Sequence, residues 1–418
     1  MDLSAFILEH ENDDTAALVL ARNRWPETDV ALAAECIQAR RKLKSKVPGW
    51  YADPRIICPS ALSAEQCSST ATADYKAALA AKILRLAGKN PGESRIADLT
   101  GGLGVDAWSF SAVAGKVLYN EMNPLLVSAA KGNFPLLGRD NISFCGLRID
   151  AASLPGLLDG FRPDLVYIDP ARRGQGGRKV FMPEDCTPDV LGLQDTILER
   201  GIPLMLKLSP MADISLMIRK FHSVKELHAV QADGECKELL LVLEPGFAGD
   251  PAVKAVDTGN PEPKVMGFDF SRIASAKGHF MGSSPLPGQI LFEPGPALSK
   301  CGAFNLVSDI LDIPLLGPDA HYYCIPGQDG DKEVFRALEG LGKWYSVIDA
   351  APFGNASVKA FASRWPDAEA TARALPLTSE ALRVKMKLRG GGLTHIFALG
   401  TPAGRVLIAA ERYSPDLH

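Results

Sequence analysis

The stretch Ile96-Ala97-Asp98-Leu99-Thr100-Gly101-Gly102-Leu103-Gly104-Val105-Asp106 constrains this chain more than any other. Ile96, Ala97 and Leu99 form the short apolar run of a buried strand. Gly101, Gly102 and Gly104 follow at once. Glycines there let the backbone turn sharply and approach a ligand closely. Val105 to Val113 then reads as a helix packed back on the strand. A strand, a glycine turn and a helix make the unit on which doubly wound α/β folds bind nucleotides.

The following landmarks narrow the ligand. Lys116 to Tyr119 reads as a second strand, and Glu121 follows it. An acidic residue about 20 positions past such glycines can accept hydrogen bonds from ribose hydroxyls. Asn141 to Cys145 reads as a third strand, with Asp150 beyond it. Asp164 to Ile168 reads as a fourth, ending in Asp169-Pro170. A nicotinamide-binding domain is the rival. Against it, Ala107 stands at the third glycine of Gly-x-Gly-x-x-Gly, and the strand ends in Asp98-Leu99-Thr100.

The series resembles the class I S-adenosylmethionine-dependent methyltransferases. The resemblance implies a Rossmann-like α/β domain of seven strands. It implies that Asp98, with Thr100, Gly101, Gly102 and Gly104, holds the methionine end of S-adenosylmethionine. Glu121 would take the ribose and Asp150 the adenine amino group. Asp169-Pro170-Ala171-Arg172 resembles the Asp-Pro-Pro-Xaa signature at the target pocket, which makes Asp169, Pro170 and Arg172 the catalytic candidates.

With 418 residues, the chain exceeds one ordinary domain. The net charge of −4 excludes a whole-chain basic signature for nucleic acid, so such binding would need local patches. The eight cysteines include no Cys-x-x-Cys pair, and no secretory leader is visible. The expectation is a cytoplasmic protein with reduced thiols and no bound metal. No apolar run reaches the ~20 residues that span a bilayer. Oligomeric state is not legible.

Four segments are expected: a helical one over 1–75, the catalytic domain over 76–245, and small α+β modules over 261–330 and 331–418. Arg40 to Lys46 is a basic cluster, read as a solvated helix face or a phosphate-contacting edge. Ser63 and Gln66 form a capping-box pattern at a further helix start. The stretch Glu65 to Lys76 is unusually polar for a helix entering a core. It reads as a closure over the ligand or as a well-capped connector. Arg172, Arg173, Arg178 and Lys179 share a glycine-rich loop after the fourth strand, suited to phosphate contacts. Lys207, on a fifth strand, is a substrate anchor or the partner of a buried carboxylate. Phe247 to Asn260 reads as a domain boundary. Arg383, Lys385 and Lys387 lie on a helix or on the basic face of a strand.

The arrangement also resembles a bacterial family of class I methyltransferases with a C-terminal THUMP-like domain preceded by a ferredoxin-like module. That likeness rests on Glu65 to Ser69, Asp98 to Gly102, Asp169 to Arg172, Leu206 to Pro210, Glu293-Pro294 and Leu382 to Gly392. It implies an RNA substrate, tRNA or rRNA, with the target base unpaired or flipped. Asp169 and the Pro170 carbonyl would then accept hydrogen bonds from a base amine, and Arg172 would replace the missing stacking aromatic. The alternatives are a methyltransferase for a protein or small molecule, and a catalytically silent cofactor-binding adaptor.

Overall fold

A computed structural model describes residues 2–172, 182–260, 262–325 and 332–415. The chain divides into two compact units, Met1–Leu227 with Glu238–Gly249 and His228–Lys237 with Asp250–His418.

In the first unit β1 (Arg95–Asp98), β2 (Lys116–Asn120), β3 (Ile142–Cys145) and β4 (Leu165–Ile168) come in turn. A two-residue ribbon of β5 (Ala171–Arg172) and β6 (Cys186–Thr187) follows, then β7 (Leu204–Leu208); residues of β8 (Val224–Ala232) and β9 (Glu235–Leu243) fall in both units. The main sheet has nine strands in the order β3-β2-β1-β4-β7-β9-β8-β10-β11, where β10 (Ala252–Asp257) and β11 (Lys264–Asp269) continue it past β8. The first five of these strands are parallel, and β9 runs antiparallel to β7. The parallel Rossmann-like frame is as expected, but the seven strands expected are nine: β10 and β11, which lie beyond the catalytic domain expected over 76–245, extend the same sheet. The strand order reverses between β1 and β4, so a crevice opens beyond their carboxyl ends. Asp98 and Tyr167 are register partners there. β8 and β9 meet over Asp233-Gly234, both at positive φ, as a tight hairpin demands.

The N-terminal segment is helical, as expected, with Val30–Lys46 its longest helix before Thr70–Leu86. Its basic cluster is a solvated face only in part: Arg41, Lys44 and Ser45 are exposed, while other members bind neighbouring helices. Arg40 is buried and donates to the carbonyls of Tyr51 (2.9 Å) and Asp53 (3.3 Å). Arg41 donates to the Glu11 carbonyl at 2.9 Å, Lys42 pairs with Glu65, and Lys46 donates to backbone carbonyls around Cys67. These cations staple helices together because carbonyls left over at helix ends need donors. The expected helix start at Ser63 is also corrected. The helix Ala61–Gln66 is capped by Ser60, and Thr70–Leu86 by Ser69, so Cys67 to Ser69 form a joint between two helices.

In the second unit β10 (Ala252–Asp257) pairs antiparallel with β11 (Lys264–Asp269). Phe247 to Asn260 therefore contains a strand as well as the break between units. The rest builds one sheet from β12 (Ile290–Pro294), β13 (Tyr323–Ile325), β14 (Gly342–Pro352), β15 (Glu369–Arg373), β16 (Thr394–Thr401) and β17 (Gly404–Tyr413), in the order β13-β12-β14-β17-β16-β15. This sheet crosses the boundary expected at residue 330, because β12 pairs along its whole length with β14. Val358, Phe361, Leu382 and Met386 cover Ile396, Ala398, Leu407 and Ala409. Leu382 and Met386 are four apart, so burial at helical period makes Ser379–Met386 a helix rather than an alternating strand. Arg383 is paired with Glu380 at 2.9 Å, Arg389 donates to Asp367 at 2.9 Å, and Lys385 lies 5.5 Å over the Phe353 ring. Lys387 caps the helix in the left-handed region.

Candidate functional site

The glycine turn is locked by its neighbours. A methyl group at Gly101 would overlap the Tyr119 ring. One at Gly104 would fall 2.7 Å from Phe134 Cζ, and φ there is +97°. The Tyr119 hydroxyl donates to the Gly102 carbonyl at 2.6 Å, fixing the far side of the bend. Glu121 accepts from the Gly102 amide (2.9 Å) and the Asn123 amide (2.8 Å). Asn120, not anticipated from sequence, ties Leu99 and Leu147 together with three hydrogen bonds of 2.9–3.0 Å. Beside Glu121 opens a cavity of about 310 Å³, lined by Met122, Pro124, Val127, Lys131 and Gly146 among others. Asp150 is exposed, and its Oδ1 caps its own turn by accepting from the amides of Ala152 and Ser153. Those bonds hold its carboxyl below the usual range.

Asp98 sits at the end of β1, 1% exposed. Its Oδ1 accepts from the Thr100 amide at 3.0 Å, while Oδ2 is buried without a hydrogen-bond partner. Burial, and next the neighbouring Asp106 carboxylate, push Asp98 well above the usual carboxylate range. A buried acceptor with no donor costs about 1–3 kcal/mol, so this atom marks a place prepared for a ligand's donor.

At the end of β4 the Asp169 amide donates to Thr100 Oγ1 at 2.6 Å, which ties the glycine turn to the expected target corner. Lys207 Nζ donates to Asp169 Oδ2 at 2.6 Å. Lys207 is thus paired with a carboxylate, though not the buried one expected: Asp169 is partly exposed and is the catalytic candidate itself. The Asp169 side chain keeps 36% of its surface exposed against 13% for Lys207, so the corner is open to solvent. Pro170 is buried, and Ala171-Arg172 continue as β5 against β6 rather than as a loop. Arg173, Arg178 and Lys179 lie outside the described residues, as does the Arg172 side chain.

Behind the corner lies a charge cluster that sequence inspection missed. Lys76, fully buried in the helix Thr70–Leu86, donates to both oxygens of Glu238 (2.8 and 2.9 Å) and to Ser68 Oγ (2.8 Å). It stands 3.2 Å from Asp106 Oδ1, an ion-pair distance without hydrogen-bond geometry. Ser68 and Tyr167 both donate to Asp106 Oδ2, at 3.0 and 2.9 Å. Tyr167 is thus a core residue. Burial opposes the charge on Asp106, yet the ammoniums of Lys76 and Lys207 outweigh it and lower its pKa. Burial also opposes the charge on Lys207, yet the carboxylates of Asp169, Glu238 and Asp106 win and hold it as an ammonium. The one available signal was the unusual polarity of Glu65 to Lys76. Ser68 and Lys76 are the residues that explain it.

Among the described residues no group of three or more His, Cys, Asp or Glu is placed to hold a metal ion, and no helix is long and apolar enough to cross a membrane.

The fold of the chain has a counterpart among solved structures. A candidate methyltransferase from Porphyromonas gingivalis W83 aligns over 99% of this chain and 98% of its own, with a TM-score of 0.83 and 27% identity. The two proteins share their fold. An rRNA methylase from Streptococcus thermophilus matches 41% of this chain and 94% of its own, with a TM-score of 0.29 and 16% identity. A candidate methyltransferase from Streptococcus mutans, in complex with SAH, matches 40% and 96%, with a TM-score of 0.28 and 16% identity. At that distance neither carries weight here. No protein-family model matches the chain, and no curated protein does.

Proposed function

We propose that this chain is an S-adenosylmethionine-dependent methyltransferase acting on RNA. The observation that carries the reading is Asp98 Oδ2, a buried acceptor without a donor at the mouth of a glycine turn. The α-ammonium of S-adenosylmethionine is a donor of the right charge for it. Glu121, beside the cavity, would take the ribose hydroxyls, and Asp150 the adenine amino group. The whole-length likeness to a candidate methyltransferase supports the same chemistry.

The bound sulfonium supplies an already activated methyl group, so the chain's task is positioning. Thr100 joins the cofactor turn to Asp169 through one hydrogen bond, which keeps donor and acceptor sites in register. Pro170 stiffens the turn that follows. The open Asp169 corner admits a group presented from outside, so a nucleotide must leave any duplex to reach it. RNA is the substrate class that the THUMP-like resemblance implies. Arg172, Arg173, Arg178 and Lys179, with Arg383, Lys385 and Lys387, are the residues proposed to meet its phosphates.

Two measurements test this. Calorimetric titration with S-adenosylhomocysteine should give micromolar binding that Asp98→Ala abolishes; unchanged affinity in that variant removes Asp98 from the site. Labelled S-adenosylmethionine should transfer its methyl to RNA from cells lacking this protein. Label in protein or metabolites alone would replace RNA as substrate, and binding without transfer to any pool would leave an adaptor.

A further inference from the structure

We infer that the methyl acceptor is a ribose hydroxyl of the RNA, with Lys207 and Asp169 as the catalytic pair, rather than an amine on a base. The inference rests on the S-adenosylmethionine and RNA reading above and specifies its acceptor atom.

The Asp169–Lys207 contact decides between the two acceptors. A base amine docks by donating its N–H groups into unoccupied acceptors. Here Asp169 Oδ2 accepts from Lys207 at 2.6 Å, so a docking group meets one carboxylate oxygen, Oδ1, beside a fixed ammonium instead of a pair of open acceptors. An ammonium offers donors only, so it has nothing with which to receive an amine. Charge development points the same way. Attack by an amine moves positive charge onto nitrogen, and a fixed ammonium beside it opposes that change. Attack by a hydroxyl must shed a proton, and negative charge develops on oxygen. A carboxylate and an ammonium side by side supply both needs.

Lys207 is the cation of this pair and not its base. Glu238, Asp106 and Asp169 surround it and keep it protonated. Lys207 is on β7 opposite Leu240 of β9. Glu238 is two residues from Leu240, so it projects from the same face of the sheet as Lys207. Lys76 clamps both Glu238 oxygens, and Ser68 anchors Lys76. The countercharges behind Lys207 are therefore immobilised before any substrate arrives, the condition under which electrostatic stabilisation costs no reorganisation. The segment after Pro170 agrees. Ala171 and Arg172 form β5 and supply no aromatic face for a base, whereas a sugar needs none.

In the step, the acceptor oxygen forms its bond to the methyl carbon as the carbon–sulfur bond breaks, leaving that electron pair on sulfur. The hydroxyl proton passes to the Asp169 carboxylate and from there to water. Lys207 stabilises the charge on oxygen while the proton is in transit.

The test uses the wild-type full chain, labelled S-adenosylmethionine, and RNA from cells lacking the protein. Methylation of a 2′-hydroxyl blocks alkaline cleavage of the adjoining phosphodiester. Label is expected in alkali-resistant dinucleotides and, after enzymatic digestion, on the sugar fragment by mass spectrometry. Label on a base overturns the hydroxyl acceptor while leaving RNA methylation standing. Absence of label from RNA, with S-adenosylhomocysteine still bound, overturns both. An oligonucleotide carrying 2′-deoxyribose at the mapped position should bind with affinity within about threefold of the parent by fluorescence anisotropy and accept no methyl, since a single hydroxyl contributes little to binding. Methyl transfer to that oligonucleotide would also overturn the assignment. Lys207→Met should lower transfer about 10²–10³-fold with affinity for S-adenosylhomocysteine retained; full turnover in that variant would remove Lys207 from catalysis.

Discussion

Replacing Lys76 by Met keeps most of the side-chain length and removes its charge. Lys76 is fully buried, and its ammonium serves Glu238 through two hydrogen bonds and Ser68 through one, with Asp106 at ion-pair distance. Without it Glu238 and Asp106 remain inside the fold with one nearby ammonium fewer. Removing one member of a buried ion pair costs about 3–5 kcal/mol, because the survivor is left uncompensated. For a unit of this size each kcal/mol lowers the melting temperature by about 2–4 °C, so the first unit should melt about 6–20 °C lower. Scanning calorimetry of the full chain reads this directly. Adding Glu238→Gln to Lys76→Met removes much of the stranded charge and should recover about half the loss or more. The single variant should also fare better at pH 5 than at pH 8, because its stranded carboxylates can then take up a proton. A fall of less than about 2 °C in Lys76→Met would show that the cluster is hydrated or rearranged, and the reasoning about buried charge would be refuted.

Three further outcomes are expected. The folded-state pKa of Asp98 is raised above its unfolded value of about 3.9, so its stabilising contribution is complete below that pH and is lost as pH rises through the raised value. Asp98→Asn should flatten that decline. Wild-type titrations with S-adenosylhomocysteine in buffers of different ionisation enthalpy should show proton release on binding, and the variant should show none. Gly104→Ala places a Cβ 2.7 Å from Phe134 at φ +97°; it should cost about 1–2 kcal/mol in strain and weaken cofactor affinity, so an unperturbed titration would count against a locked turn. Lys385→Ala with Lys387→Ala should reduce the slope of log affinity against log salt by about 1.4 if both meet phosphates of single-stranded RNA. An unchanged slope removes them from the interface.

Much of the first unit was legible in the sequence because its determinants are local. Gly101 and Gly104 are demanded by a bend in which a Cβ would strike Tyr119 or Phe134, Gly102 by its positive φ, and apolar runs ending in Asp98 and Asp169 announce strands whose polar ends share one edge. The cluster Arg40 to Lys46 was only partly legible for the opposite reason. A run of Arg and Lys looks the same whether it faces solvent, phosphate or a neighbouring carbonyl, and here Arg40 is buried and Arg41 and Lys46 reach carbonyls of neighbouring helices, while Lys44 stays exposed. The sheet of the second unit was split in two because strand pairing joins β12 to β14 across an intervening strand and three helices.

By itself, the sequence determined the glycine bend, the parallel strands around it, and the carboxylates Asp98 and Asp169 at the strand ends. Only the tertiary structure decided what those carboxylates face. Lys76 and Glu238 are 162 residues apart, and Lys207 and Asp169 are 38 apart. No local pattern signals such pairs. They form because strands 4, 7 and 9 lie side by side and because charge carried into a core must find its opposite there.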